Sequence, residues 1–494
     1  MRLLFFLFVF LFVFLFLLRG CGGNFPRIAS DLEGCARGNL PRTASHFHGC
    51  ATVRYGAPHV RWVTRNLWLL SITSLLNDIS SEMIAPLLPL YLVAVLGSSK
   101  GFVGLVEGAA EATGQVLRVF VGAWSDRLAR RKSFTIVGYA QSAVGKLVLA
   151  LAASPWQVLG ARVLDRLGKA IRTAPRDALI AESVDASLRG RAFGLHKAFD
   201  NFGAVLGVVV ALLALQALTG GASNGVPVAP TALIASSAPN ADLPAHDAAA
   251  LAGPIRTILW WALLPAALGI ACLFLVRESP TTTTPAAAPS SAPSSAPTRP
   301  TMLGAWRALD PRARAYLWVL LLFTLGNSSN AFLLLRAQSL GCSVVHVVAL
   351  YLAYNVVATL ASYPAGKLSD SLGRRRVLVV GFIVSAVVYL GMAATAFMPA
   401  DAAIVALWVL FPLYGFYSAL TEGVEKALLI DLSPPQLKAT VLGLNSMIVG
   451  LGLLPASLVA GVLWDTLGPA APFALGGATS AVAAVALWRV LRGA

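Results

Sequence analysis

From Leu67 onward the chain alternates long apolar runs with short polar interruptions, many of them basic. A membrane-crossing helix needs about 20 mostly apolar residues. Twelve runs reach that length, at 67–96, 101–124, 133–153, 156–174, 192–218, 255–276, 315–337, 344–365, 377–398, 402–421, 439–464 and 470–491. The runs are continuous rather than alternating every second residue, which excludes a transmembrane barrel. The pattern predicts an all-α polytopic membrane protein with twelve transmembrane helices.

Ahead of these helices, residues 3–18 (LLFFLFVFLFVFLFLL) form another apolar stretch, shorter than a span. A cleaved signal peptide would place residue 21 onward outside and invert the helices against the charge distribution described below, so that reading is rejected. Two readings of the 1–62 leader stay open. It adds an extra hydrophobic helix with its N-terminus outside, or it reflects a mis-assigned start, with Val53, Val60 or Val63 as the true one. His46, His48 and Cys50 lie in this stretch without a fourth ligand, so no metal site is expected.

Composition agrees with the pattern. The chain is 57% hydrophobic and 12% charged, against roughly 25% charged for a soluble domain. That excludes an ordinary soluble protein, and the high hydrophobicity excludes disorder. Five cysteines in 494 residues exclude a disulfide scaffold. The net charge of +16 would suggest nucleic acid in a soluble protein, but here it sorts by side. Twenty-two Lys and Arg residues fall at alternate helix ends, Arg127, Arg130, Arg131, Lys132, Lys367 and Arg374–Arg376 among them, against Lys100, Arg256 and Arg336 at the other ends. By the positive-inside tendency both ends of the twelve-helix body are cytoplasmic, and a nucleic-acid partner is not expected.

Residues 279–300 (SPTTTTPAAAPSSAPSSAPTRP) are too rich in Pro, Ala, Ser and Thr to pack a core and read as a flexible linker. They divide the chain into a six-helix bundle over 63–277, a linker over 278–312 and a second six-helix bundle over 313–494. The two halves repeat each other. Gly122-Ala-Trp-Ser-Asp126-Arg127-Leu-Ala129-Arg130-Arg131 recurs as Gly366-Lys-Leu-Ser-Asp370-Ser371-Leu-Gly373-Arg374-Arg375, 244 residues on, and Asn77 answers Asn327 at 250.

This doubled loop between second and third helices of each half resembles the signature loop of the major facilitator superfamily, over about residues 63–494. Ala129 stands for the usual glycine in the first copy and Ser371 for the usual arginine in the second. Asn77-Asp78-Ile-Ser-Ser-Glu82, Asp165-Arg166-Leu-Gly168-Lys169 and Arg172-Thr-Ala-Pro-Arg176-Asp177 resemble a bacterial subgroup of general permeases with no assigned substrate. The resemblance implies two bundles rocking about a central site, with helices 1, 4, 7 and 10 lining the cavity. In the loop itself, Gly122 and Gly366 would let helices approach closely. Asp126 and Asp370, with Arg127, Arg130, Arg131, Arg374 and Arg375, would hold the cytoplasmic side shut in one state.

A charge within a span costs at least a few kcal/mol and is a functional candidate. The first half holds a cluster: Asp78 and Glu82 in helix 1, Glu107, Glu111 and Arg118 in helix 2, Lys146 in helix 3, and Arg162, Asp165, Arg166 and Lys169 in helix 4. Each set recurs at helical spacing. The equivalent positions of the second half read as neutral, including Tyr351, Asn355, Phe411 and Tyr414. Asp78, Glu82 and Glu111 are the candidates for carrying a proton, and Arg162 and Arg166 for holding an anionic group or clamping those acids. Asn77, Asn327, Asn355, Phe411 and Tyr414 are the candidate cavity wall.

Internal ion pairing that merely fixes helix packing is the competing reading. In helix 5, Gly203 and Gly207 precede Val208, where the superfamily's proton antiporters often have proline, so antiport is not favoured. The expected function is secondary transport of a small organic solute, with a proton as the coupling ion. An uncoupled facilitator and a non-transporting receptor or scaffold on the same fold are the alternatives. No catalytic constellation, cofactor or metal is expected. The partners are the lipid bilayer of a bacterial inner membrane, the solute and a proton, and a monomer suffices.

Overall fold

The computed structural model describes residues 64–128, 131–185, 188–219, 245–277, 306–307, 309–433 and 438–491. The 1–62 leader with its extra apolar segment and His46, His48 and Cys50, the 279–300 linker and Arg130 lie outside them.

Twelve helical rods are present among the described residues. They are α1 (Arg65–Ile84, continued by Leu88–Leu90 and a π-helical turn at Tyr91–Val95), α2 (Lys100–Leu128), α3 (Arg131–Leu151), α4 (Pro155–Glu182), α5 (Arg189–Leu218) and α6 (Ala245–Trp261 with Leu263–Phe274). Then follow α7 (Pro311–Gly326 with Asn330–Ser339), α8 (Val344–Leu372), α9 (Arg374–Ala394), α10 (Ala400–Asp431), α11 (Lys438–Leu467) and α12 (Ala470–Val490). Local chemistry sets several starts. Ser154 and Gln157 form a reciprocal capping box ahead of Pro155, and Thr64, Asp310 and Ser343 each accept a backbone N–H of the helix they precede.

Ten rods are apolar enough over an 18-residue window to be membrane spans on composition alone. The two that are not are α2 and α4, of 29 and 28 residues, which carry Glu107, Glu111, Arg162, Asp165, Arg166 and Lys169. Several helices outrun their apolar runs. α4, α8 and α10 continue about seven to ten residues past the predicted ends, because a charged terminal segment stays helical after it leaves the apolar window. Arg176 and Asp177, beyond the 156–174 run, are therefore inside α4.

Packing repeats from half to half. In the first half α1 packs on α5 and α6, α2 on α4, and α3 on α4 and α6. In the second, α7 packs on α11 and α12, α8 on α10, and α9 on α10 and α12. Every principal contact therefore recurs six helices later. The halves meet along two seams, α2 on α11 and α5 on α8, which the same relation exchanges. Large apolar side chains such as Trp156 (67% exposed), Phe274 and Val405 cover the periphery, as a lipid-facing surface requires.

Glycines let α2 and α11 approach backbone to backbone. A side chain at Gly461 would meet the Gly101 backbone, one at Gly104 the Ser457 carbonyl, one at Gly108 Leu454, and one at Gly450 Gln115. This closure runs from the start of α2 for about 22 Å along it. The end where α2 begins is clasped by Asp465 of α11, whose carboxylate accepts from the backbone N–H of Lys100 at 3.2 Å and of Gly101 at 2.8 Å. At the opposite, basic face, Gly366 has open space where a side chain would stand. The α2–α11 seam is thus shut at the face where α2 begins, while Gly366 belongs to α8 and not to this seam.

A carboxylate at a helix N-terminus contributes about 0.5–2 kcal/mol. Asp465→Ala is expected to shift the equilibrium away from this closed end by several-fold. Faster hydrogen exchange of the Lys100–Val103 amides would register it, and unchanged exchange would show that the glycine packing alone holds the seam.

Candidate functional site

The site begins with two charge ladders. On α2, Glu107 and Glu111 are four residues apart, and on α4 so are Arg162 and Arg166. The helices pack together in the same direction, so the spacings match rung for rung. Arg162 Nη2 donates to Glu107 Oε1 at 3.0 Å and Oε2 at 3.1 Å, and Arg166 Nη2 lies 2.7 Å from Glu111 Oε1. Arg162 and Glu107 are each 9% exposed. The two acids of α2 are therefore tied to the two arginines of α4.

Behind α4, glycines bring α3 close. A side chain at Gly145 would strike the Asp165 backbone and one at Gly168 the Gly138 and Ser142 backbone. This approach places Asp165 against Ser142, which donates a short hydrogen bond to it. Lys146 of α3 is held by α1 instead, donating to Ser80 Oγ at 2.9 Å and to the side-chain and backbone oxygens of Asn77.

On α1, Asp78 and Glu82 differ from the acids of α2. Among the described residues neither forms an ion pair within 4 Å. Asp78 accepts only from Asn77 Nδ2 at 3.5 Å, and Glu82 accepts from Tyr351 of α8 at 3.1 Å. The second of these bonds crosses from one half to the other. Gly203 and Gly207 of α5 seat α1 so closely that side chains there would meet the Asp78 and Glu82 Cβ atoms at 3.2 and 3.0 Å. Asp78 and Glu82 line a cleft with Asp165, Arg166, Lys169 and Arg172, with about 390 Å³ of empty space. From the start of α1, Asp78 is about 20 Å along the rod, near its middle.

The second half faces this cleft with tyrosines. α7 breaks between Gly326 and Asn330, freeing backbone groups within the bundle. Tyr389 stitches the break, donating a short hydrogen bond to Asn327 Oδ1 and another at 3.3 Å to the Ser328 carbonyl. Asn327 Nδ2 donates to Tyr417 at 2.9 Å, and Tyr414 donates to Asn330 at 2.8 Å. The rings of Tyr351, Tyr354, Tyr414 and Tyr417 then form a continuous row with centroids 5.2–5.5 Å apart. Broken helices near mid-membrane mark binding regions in many transporters.

The sequence model of the Major Facilitator Superfamily matches residues 70–421 and again 328–494. This chain belongs to the Major Facilitator Superfamily. It is 36% identical over 413 residues to an uncharacterized MFS-type transporter of Methanocaldococcus jannaschii, covering 82% of this chain and 89% of that one. Its fold is similar to that of the nucleoside transporter NupG, with a TM-score of 0.65, 13% identity, and coverage of 87% and 100% of the two chains. The D-xylose-proton symporter shares the fold at a TM-score of 0.62 and 16% identity, over 87% and 98%. The chain is accordingly an integral membrane transporter with the superfamily's twelve-helix fold, and the family carries small-molecule solutes.

Within this MFS transporter the predicted residues separate into roles. Asp78, Glu82, Asp165, Arg162, Arg166 and Lys169 come together at the cleft, and Glu107 and Glu111 reach it through their arginine partners. Arg118 is half-buried on α2, with its Nε unpartnered. The expected cavity wall is less uniform. Asn77 is buried against Lys146, Phe411 is 2% exposed in the packed core, and Asn355 turns its amide to the Tyr351 carbonyl at 3.0 Å. Asn327 and Tyr414 serve the α7 break.

Of the loop motif, Gly122, Asp126 and Arg127 fall in the last turns of α2, their side chains outside the described set. Arg131 pairs with Glu182 of α4 at close range. In the second copy Arg374 lies 3.9 Å from Asp370 but 2.6 Å from Asp431 of α10, and Arg375 stacks on Trp488 and donates to its carbonyl. The expectation that Gly366 permits a close helix contact is not met, since nothing lies within 4 Å of where its side chain would stand.

Four features escaped the sequence reading. His196 is 3% exposed, 3.4 Å from Ser71 Oγ and 3.7 Å from Asp200 of its own helix. Asp200 stands four residues on in the same apolar run. Glu422 and Glu425 lie inside α10, so the second half is not free of acids, and Glu422 accepts from Ser418 at 3.0 Å. Tyr354, Tyr389 and Tyr417 join the tyrosines around the α7 break. Outside the spans, Cys342 sits in the turn before α8, where burial pushes its thiol up to about 11 and keeps it protonated.

Proposed function

We propose that this chain is a proton-coupled transporter of a small organic solute that works by alternating access, with Asp78 and Glu82 as the proton-carrying groups. One observation carries the reading. Of the acids gathered at the cleft, Glu107 and Glu111 are neutralised by fixed arginines and Asp165 is held by a hydrogen bond from Ser142, whereas Asp78 and Glu82 face open space without a paired cation. A locked pair keeps its charge through a cycle, but an unpaired acid changes its protonation as its surroundings change. Lys169, Arg166 and Arg172 on α4, Asp200 on α5 and Tyr351 on α8 are the polar groups around them.

The Glu82–Tyr351 hydrogen bond gives the proton a mechanical consequence. Protonating Glu82 removes the charge that makes this inter-half bond strong, so loading a proton changes the balance between states closed at either face. The basic face is the cytoplasmic one, and the chain acts as a monomer in a bacterial inner membrane. Glu111, a candidate from its position alone, becomes a structural partner of Arg166 in this account.

The test is uptake into proteoliposomes under an imposed pH gradient, with solutes screened by thermal stabilisation of the purified chain. Accumulation that follows the gradient supports the reading. Solute movement indifferent to the gradient identifies an uncoupled facilitator, and an absence of movement for every stabilising solute favours a receptor.

A further inference from the structure

We propose that the cargo carries an anionic group, a carboxylate or phosphate, which is received by Lys169 and Arg172 of α4. The inference deepens the proposed function and rests on it for the identity of the transport site.

Arg162 and Arg166, the cations that sequence position recommends for an anion, are occupied by Glu107 and Glu111. Two other cations on the cleft are not. Lys169 is exposed into it, and among the described residues it forms no ion pair within 4 Å. Arg172 is 4% exposed, its guanidinium 4.4 Å from the centroid of the Tyr139 ring and its Nη1 without a hydrogen-bond partner. A buried charged donor left without an acceptor is costly, and ring stacking holds this one in place rather than letting it swing to water. The two residues are three apart on α4, about 4.5 Å along the helix and on one face. A carboxylate or phosphate has at least two acceptor oxygens and can span such a pair.

The acids opposite set the sign of the coupling. Asp78 and Glu82 from α1 offset the field of Lys169 and Arg172 while ionised. Glu111 and Arg118 from α2, Asp165, Arg166 and Arg176 from α4, Asp200 from α5 and Tyr351 from α8 also face these groups, and Lys146 from α3 is bound to α1. Taking up protons at Asp78 and Glu82 leaves the two cations less compensated, so proton and anion favour each other's binding. A cationic cargo would instead compete with the proton for the same acids. The unpartnered groups favour the first arrangement, because an anion satisfies the buried Nη1 of Arg172 and a cation does not.

The experiment measures equilibrium binding to the purified full chain, without a gradient. The probes are benzoate and phenyl phosphate, which separate carboxylate from phosphate, against benzamide and benzylamine, which share the ring. Aromatic probes are chosen because Tyr351, bonded to Glu82, opens the tyrosine row. One or both anions should raise the melting midpoint while benzamide and benzylamine do not. Lys169→Gln should weaken that binding by about tenfold, as the loss of one charge-assisted contact of ~1.4 kcal/mol would, and Lys169→Arg should retain it. In wild-type protein the bound anion should also slow acetylation of Lys169. Stabilisation by benzylamine rather than the anions, no response to either anion, or unaltered anion binding by Lys169→Gln would overturn the proposal. Anion binding that persists while transport ignores the pH gradient would sink the proton-coupling reading and leave this one standing.

Discussion

Replacing Arg162 with leucine is expected to destabilise the protein by about 3–5 kcal/mol, and adding Glu107→Leu to recover most of that loss. The side chains of the pair are 10% and 11% exposed and bonded through both carboxylate oxygens. Removing the arginine strands a carboxylate in an apolar interior, whereas removing both groups strands nothing. The reverse single change, Glu107→Leu, leaves a guanidinium whose Nε already lacks a partner, and should cost a similar amount. Unfolding in mixed micelles measures these differences directly. The Arg131–Glu182 pair supplies the contrast. Its side chains are 28% and 48% exposed, and Glu182→Ala should cost no more than about 1 kcal/mol. Equal costs for Arg162→Leu alone and in the double variant would show that the ladder does not act as a pair.

The second large effect is functional. Asp78→Asn and Glu82→Gln are expected to reduce gradient-driven uptake by at least about tenfold, for which ~1.4 kcal/mol suffices, while solute exchange without a gradient continues. The neutral side chains keep the size and hydrogen-bonding capacity of the acids, so Glu82→Gln can still meet Tyr351 and the fold is retained. What they lose is the ability to cycle a proton. Glu111→Gln should behave differently. It leaves Arg166 without its 2.7 Å partner and should lower stability and exchange together. The contrast between loss of driving force and loss of the carrier itself separates a coupling acid from a structural one.

Much of this arrangement is legible in the sequence, for identifiable reasons. Charges within apolar runs stand out because burying them is expensive, and their helical spacing shows which share a face. The match between Glu107–Glu111 and Arg162–Arg166 was available in that spacing, since two helices running the same way bring equal intervals together. The register of α2 against α4 was not, because it depends on packing between residues 55 apart. That register decides which acids are locked and which are open, and it moved the anion site from Arg162 and Arg166 to Lys169 and Arg172. The break in α7 was hidden for a different reason. Asn327, Ser328 and Ser329 interrupt an otherwise apolar run without a proline, and only the tyrosines that satisfy the freed groups make the break stable. His196 and Asp200 were obscured because a single charged pair at i,i+4 hardly lowers the mean hydropathy of a 30-residue helix.

The arrangement also explains why α2 and α4 fall short as spans by composition. Their polar faces are turned to each other and to the cleft, so lipid never meets them. The cost of placing so many charges within the bilayer is offset in pairs along the ladder, leaving Asp78, Glu82 and Lys169 as the groups whose partners can change.

The most direct measurement is proton movement in proteoliposomes loaded with a pH-sensitive dye and challenged with acidic, neutral and basic organic solutes. The account predicts that a transported solute carries protons with it in the wild-type protein, and that the Asp78→Asn/Glu82→Gln double variant moves the solute without them. Solute transport with no proton movement in the wild type, or undiminished proton movement in the double variant, would contradict it.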